Sequence, residues 1–240
     1  MTSLFYFILF GCVFASGLLV LAVTIPQRAL KLMLAYTGAF LFSIAVLDLI
    51  PEVYSSLGKM AGVYILIGFF FQIILEFFSS GIEHGHVHHH SSKMFLTTMM
   101  ISLSIHSLLE GMAVSYHPEN VSDIINKGLF IGILLHHIPI AIALMALLGE
   151  TSLKKGQRIL MLAIFALMSP TGMFLGMHVN VLSTLPGGSY LLNITTGIVT
   201  GILLHISTTI LFESSEEHRF NLYKFITVLL GAGLAVLILL

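Results

Sequence analysis

The run MFLTTMMISLSIHSLLEGMAVSY, residues 94–116, carries a single charged side chain, Glu110, in an otherwise apolar stretch. A hydrocarbon core of about 30 Å is crossed by about 20 residues of helix, so this run is long enough to span a bilayer. Seven further stretches have the same character: 4–25, 31–50, 61–78, 124–148, 159–178, 190–212 and 222–240. The chain as a whole agrees with them. Charged residues make up 9% of it and hydrophobic ones 57%, with a mean hydropathy of +1.03. An ordinary soluble domain is about 25% charged, and a water-soluble chain this apolar would leave large greasy patches facing solvent. Lipid offers no partner for an exposed backbone amide, so each span must be helical. The sequence therefore predicts an all-α integral membrane protein with eight transmembrane helices, forming one domain over residues 1–240. The stretch at 4–25 lacks the basic start and small-residue cleavage site of a signal peptide, so it reads as a retained first span.

The connections carry most of the charge and fix an orientation. Alternate connections place Arg28, Lys31, Lys93, Lys154, Lys155, Arg158, Arg219 and Lys224 on one side, against Lys59 and Lys127 on the other. The positive-inside rule makes the first side cytoplasmic, with both termini extracytoplasmic, in a multi-pass protein of the plasma or inner membrane. A net charge of -1 without a basic stripe argues against a nucleic-acid partner. One cysteine, Cys12, excludes a disulfide framework and a CxxC metal site.

Ionisable groups inside a span are costly, and each is a functional hypothesis. The fourth stretch holds His106-Ser107-Leu108-Leu109-Glu110 and the fifth holds His136-His137-Ile138-Pro139. His106 and Glu110 are four apart and so share a helix face. Each of His106 and His136 lies twelve residues into its stretch. At about 1.5 Å per residue, two antiparallel helices would bring them level near the bilayer centre. Two imidazoles and a carboxylate at one depth supply three of the four donors that tetrahedral Zn²⁺ takes. Pro139 removes a helix hydrogen bond and frees the Leu135 carbonyl beside His136. A single intramembrane histidine is ordinarily an interhelical hydrogen-bonding residue, and His178 and His205 read that way when taken alone. Four such groups at one level do not.

Other residues suggest the way in and out. The run His84-Gly85-His86-Val87-His88-His89-His90 falls in a cytoplasmic connection, where neutral imidazoles bind borderline metals. His86 and His88 are its candidates for receiving or sensing metal. Asp48 and Glu52 close the second span at the outer face, with Glu119 and Asp123 in the next outer connection. Glu213, followed by Glu216, Glu217 and His218, forms a comparable acidic group at the inner end of the seventh span. Acidic mouths raise the local cation concentration, although ordinary solvation of helix ends explains such residues equally well. His205 is kept on this path as well.

At these residues the sequence resembles the ZIP (Zrt/Irt-like) family of metal transporters. The resemblance rests on eight spans with both termini outside, the His-rich connection after span three, His106-Ser-x-x-Glu110-Gly111 and His136-His137-Ile-Pro139. Asp48-Leu-Ile-Pro51-Glu52 is similar to the family's ending of span two. The resemblance implies a 3+2+3 helix arrangement with inverted repeats. Spans two, three, seven and eight would form a scaffold that joins two copies as a homodimer, and the other four would slide as an elevator. It implies Zn²⁺, or a related ion such as Fe²⁺, Mn²⁺ or Cd²⁺, as a transported substrate rather than a cofactor. His106, Ser107, Glu110, His136 and His137 occupy the family's metal-binding positions. The chain departs from many members at Ile140 and Ser169, where they carry carboxylates. Glu110 alone then offsets one charge of a divalent ion, which predicts one site rather than two. The rival class is an intramembrane zinc-dependent hydrolase, but HExxH and GxSxG are both absent. A haem held by His106 and His136 suits the level histidines but not the carboxylate beside them.

Overall fold

The computed structural model of the protein describes residues 2–79, 93–114, 126–182, 188–213 and 222–239. Seven helices among these residues are long and apolar enough to cross a membrane: Gln27–Leu57, Met60–Ser79, Lys93–Val114, Lys127–Gly149, Lys155–His178, Tyr190–Phe212 and Leu222–Leu239. An eighth, Thr2–Leu19, is apolar and somewhat shorter. In chain order they are spans one to eight, and each falls on one of the eight stretches expected from hydropathy.

The limits differ in instructive ways. Span one stops at Leu19, short of residue 25, and the chain turns through backbone bonds such as Leu21 N to Leu18 O at 3.0 Å. Pro26, in extended conformation, then opens span two. A proline inside a helix ordinarily breaks it, so Pro51 predicts that span two closes at Asp48–Glu52. Instead it runs on to Leu57. A π-helical turn at Ala45–Leu49 absorbs one extra residue, closed by Ile50 N bonding to Ala45 O. Pro51 then falls in the first turn of the next helical segment, where a missing N–H costs nothing. The helix ends at Gly58, whose φ of +56° is unfavourable for any residue with a Cβ.

Span five begins at Lys127 rather than at 124, and Asn126 sets that start. Its side-chain oxygen accepts from Leu129 N at 2.8 Å, and its own backbone N donates to Val114 O at 3.0 Å. Its side-chain nitrogen donates to Asp48 Oδ2 at 2.8 Å. One residue thus ties together spans two, four and five. Asn126→Ala is expected to cost about 1–2 kcal/mol, somewhat above a typical lost cap, because the Asp48 contact goes with it. A thermal melt in detergent, read against wild type, measures this; an unchanged midpoint would show the three-way tie to be idle.

The eight helices sort into two groups by their packing. Spans one, four, five and six pack on one another, as do two, three, seven and eight. The closest partners are four with six, three with seven, two with both seven and eight, and one with five. In three of these pairs a helix backbone rests directly on a glycine. A methyl group on Gly111 would overlap the Ser169 carbonyl oxygen, and one on Gly172 would overlap that of Leu108, which locks four to six from both sides. Gly68 against Ile198 and Gly201 against Ile65 lock three to seven in the same reciprocal way, and Gly231 meets the Tyr36 carbonyl between eight and two. Such contacts hold helices together in lipid, where no hydrophobic effect drives their association. Across the seam between the groups, by contrast, Gly132 and Gly128 of span five meet side chains of span two: Leu41, Phe40 and Ile44.

Candidate metal centre

Two apolar clusters enclose a polar layer. In span four, Met99, Met100 and Leu103 belong to the first cluster, and Ala113 and Val114 to the second. In span five the order is reversed: Leu129, Phe130 and Ile133 belong to the second, and Ile140 to Leu144 to the first. The reversal is what an antiparallel pair produces. The residues left between the clusters on both helices are therefore level. They are His106, Ser107 and Glu110 of span four with His136 and His137 of span five, all fully buried. The level position follows even though span five starts three residues later than expected, so that His136 lies nine residues in.

The ligand atoms of His106, Glu110 and His136 all lie within 4.8 Å of one another, a grouping that could hold a metal ion. His106 Nε2 is 3.5 Å from Glu110 Oε2, and His137 Nε2 is 3.4 Å from the same oxygen. Donors at 2.0–2.1 Å around tetrahedral zinc stand about 3.3 Å apart, so these two separations match an edge of that tetrahedron. The three imidazoles form a triangle with ring centroids 6.1, 6.2 and 6.1 Å apart.

His137 is oriented by its own helix. Its Nδ1 faces the Ile133 carbonyl at 2.9 Å. A carbonyl only accepts, so Nδ1 carries the proton and Nε2 presents a lone pair to the cluster. Histidines that bind metal ordinarily hold their second nitrogen in this way. A lone pair facing a carboxylate oxygen is an unfavourable contact unless a proton or cation lies between them. Phe165 of span six closes over His137, with centroids 5.6 Å apart. The hydroxyls of Ser107 and Ser169 are buried, without a hydrogen-bond partner among the described residues. Ser169 reaches this level because its carbonyl seats on Gly111, next to Glu110. Ile140 is buried in the first apolar cluster.

The outlying candidates are not brought into this cluster. Asp48 sits in the π-helical turn, bonded to Asn126, and Glu52 is half-buried a turn further on. His205 bonds through Nε2 to Glu76 Oε2 at 2.5 Å and lies edge-on to Phe69, joining spans three and seven as an interhelical hydrogen bond. His178 bonds to the Phe174 carbonyl of its own helix. His86, His88, Glu119, Asp123, Glu216, Glu217 and His218 lie outside the described residues, as does the side chain of Glu213. Glu76 and Asn126 went unnoticed in the sequence. For Glu76 the signal was present, since it is a carboxylate inside the stretch 61–78.

Fold and site together define a multi-span membrane protein with a buried nitrogen-and-oxygen donor set suited to a divalent metal. The family model described as ZIP zinc transporter matches residues 83–239, which takes in spans four to eight and both histidine motifs. The chain belongs to the ZIP zinc transporter family. It is 29% identical over 126 residues to zinc transporter ZIP1 of Danio rerio, covering 52% of this chain and 40% of that protein. It is 31% identical over 172 residues to protein zntD of Dictyostelium discoideum, covering 65% and 24%. Zinc transporter ZIP3 of Bos taurus is 27% identical over 158 residues, covering 62% and 48%. The chain thus spans less than half the length of each of these curated relatives. The family is one of transporters and not of enzymes, and the hydrolase reading falls with that.

Proposed function

We propose that the protein carries Zn²⁺ across the cell membrane into the cytoplasm through one site built on His106, Glu110 and His136. The observation that carries this reading is the convergence of those three buried side chains within 4.8 Å. His137 or Ser107 completes the shell. Imidazole and carboxylate donors favour zinc, and Fe²⁺, Mn²⁺ and Cd²⁺ are the competing cargo. Inward direction and extracytoplasmic termini are supported by the excess of lysine and arginine on one set of connections. Asp48 and Glu52 serve the way in. His205 with Glu76, Glu213, and His86 and His88 serve the way out.

An elevator movement is supported by the way the helices lock. Backbone-on-glycine contacts occur inside the two groups, where a rigid body needs them. The described glycine contacts at the seam between span two and span five involve side chains, which can slide past one another by changing rotamer. A 3+2+3 arrangement with inverted repeats relates the pair four–six to five–one, and three–seven to eight–two, which are among the closest pairs in the fold. The homodimer follows from the same family pattern, with spans two, three, seven and eight as its scaffold.

Uptake of ⁶⁵Zn²⁺ into proteoliposomes tests the carrier, with His106→Ala as the inactive control. A wild type that binds zinc but moves none would overturn it. The single-site reading has its own check. Equilibrium dialysis of a variant lacking residues 84–90 is expected to give one tightly bound ion per protomer, because Glu110 is the only carboxylate in the cluster among the described residues. Two tightly bound ions would sink it.

A further inference from the structure

An apolar groove with a volume of about 350 Å³ lies where spans two, five and eight meet. Its walls are Leu32, Met33, Tyr36 and Thr37 of span two, Leu135 and Ile138 of span five, and Thr227 of span eight. Leu32 to Thr37 lie five to ten residues into span two, about 8–15 Å along the helix, which is the depth of the hydrocarbon of one leaflet. The rim one turn nearer the helix start has the opposite character. Arg28 precedes Leu32 by four residues, Lys31 adjoins it, and Lys224 precedes Thr227 by three. The exposed Arg28 guanidinium lies over the Tyr223 ring, 5.1 Å from its centroid, and so draws together the ends of spans two and eight at the groove's mouth. Lys224 donates to the Leu211 carbonyl at 2.6 Å.

An apolar slot beneath a basic rim is complementary to one component of the surrounding membrane. We infer that the groove between spans two, five and eight is a binding site for an anionic glycerophospholipid, with an acyl chain in the slot and the phosphate at Arg28 and Lys224. A zwitterionic lipid offers the same chains but no net charge to the rim. A second copy of the protein is a poor occupant, because an isologous contact through this face would set two basic rims against each other. The third wall is the span that carries His136 and His137, so the lipid lies on the seam between the two helix groups.

Native mass spectrometry of the detergent-purified protein tests this, titrating phosphatidylglycerol and phosphatidylcholine with identical chains. Phosphatidylglycerol is expected to bind at least fivefold tighter, since each basic residue near the surface contributes a factor of about five. Arg28→Gln with Lys224→Gln should bring the two lipids to parity, and Thr227→Phe, which fills the slot, should weaken both. Glycerol 3-phosphate alone should not compete. Equal binding of the two lipids by the wild type overturns the site without recourse to any variant. So does a preference that survives removal of the charges, or full competition by glycerol 3-phosphate. A Thr227→Phe protein with unchanged lipid binding but an altered monomer-to-dimer ratio would assign the face to a second copy instead.

Discussion

Glu110→Gln is expected to abolish zinc uptake in proteoliposomes while leaving the folded protein at least as stable as the wild type. The two halves of this expectation come from the same fact. Glu110 is fully buried, and its Oε2 stands 3.5 Å from His106 Nε2 and 3.4 Å from His137 Nε2. An ionised carboxylate in a water-excluded layer is expensive unless a cation shares the layer. Glutamine keeps the volume and removes the charge, so the apo protein is relieved of that cost. The metal complex instead loses the one negative charge that its cluster offers against a divalent ion. Outer-shell groups already affect metal affinity by about 10–100-fold, so loss of a charged donor should exceed about 100-fold. Zinc affinity and melting temperature should therefore move in opposite directions. A glutamine variant that transports at the wild-type rate would remove Glu110 from the metal path. One that fails to transport because it no longer folds would show the carboxylate to be structural instead.

The eight spans were legible because apolar length is a property of each segment alone, and the cluster was legible because i, i+4 spacing and depth can be counted along one helix. What stayed hidden depends on partners. The proline at 51 reads as a stop, and only the shift of hydrogen-bond register at Ala45–Leu49 lets the helix pass through it. No side-chain pattern announces such a shift. Asn126 falls inside the stretch 124–148 and reads as part of the span, and its role as the cap emerges only once Asp48 and Val114 are beside it. Gly111 belongs to the span-four motif, yet the reason for a glycine there lies on span six. His137 shows the same limit: the sequence offered it as a ligand, but the Ile133 carbonyl decides which of its nitrogens faces the cluster.

Gly111→Ala is expected to cause the largest loss of folded protein among conservative changes near the site. In an isolated helix the change would be favourable by about 1 kcal/mol, since alanine is the better helix former. Here the added methyl would overlap the Ser169 carbonyl oxygen. The obstacle is backbone, so no rotamer change relieves it and spans four and six must separate. Overpacking typically costs about 1–3 kcal/mol, and a backbone clash belongs at or above the top of that range. Separation also lifts the neighbouring Glu110 from the plane of His136, so uptake should fall even in the fraction that folds. Gly172→Ala strains the same seam from the other side, against Leu108, and once the helices have parted a second methyl adds little. The double variant should therefore be less destabilised than the sum of the singles. Gly11 and Gly233 provide the contrast, since a methyl on either meets nothing within 4 Å. Alanine at those positions should leave uptake unchanged and raise the melting temperature slightly. If Gly111→Ala melts with Gly11→Ala, spans four and six are not in backbone contact, and the rigid pairing that underlies the sliding unit goes with it.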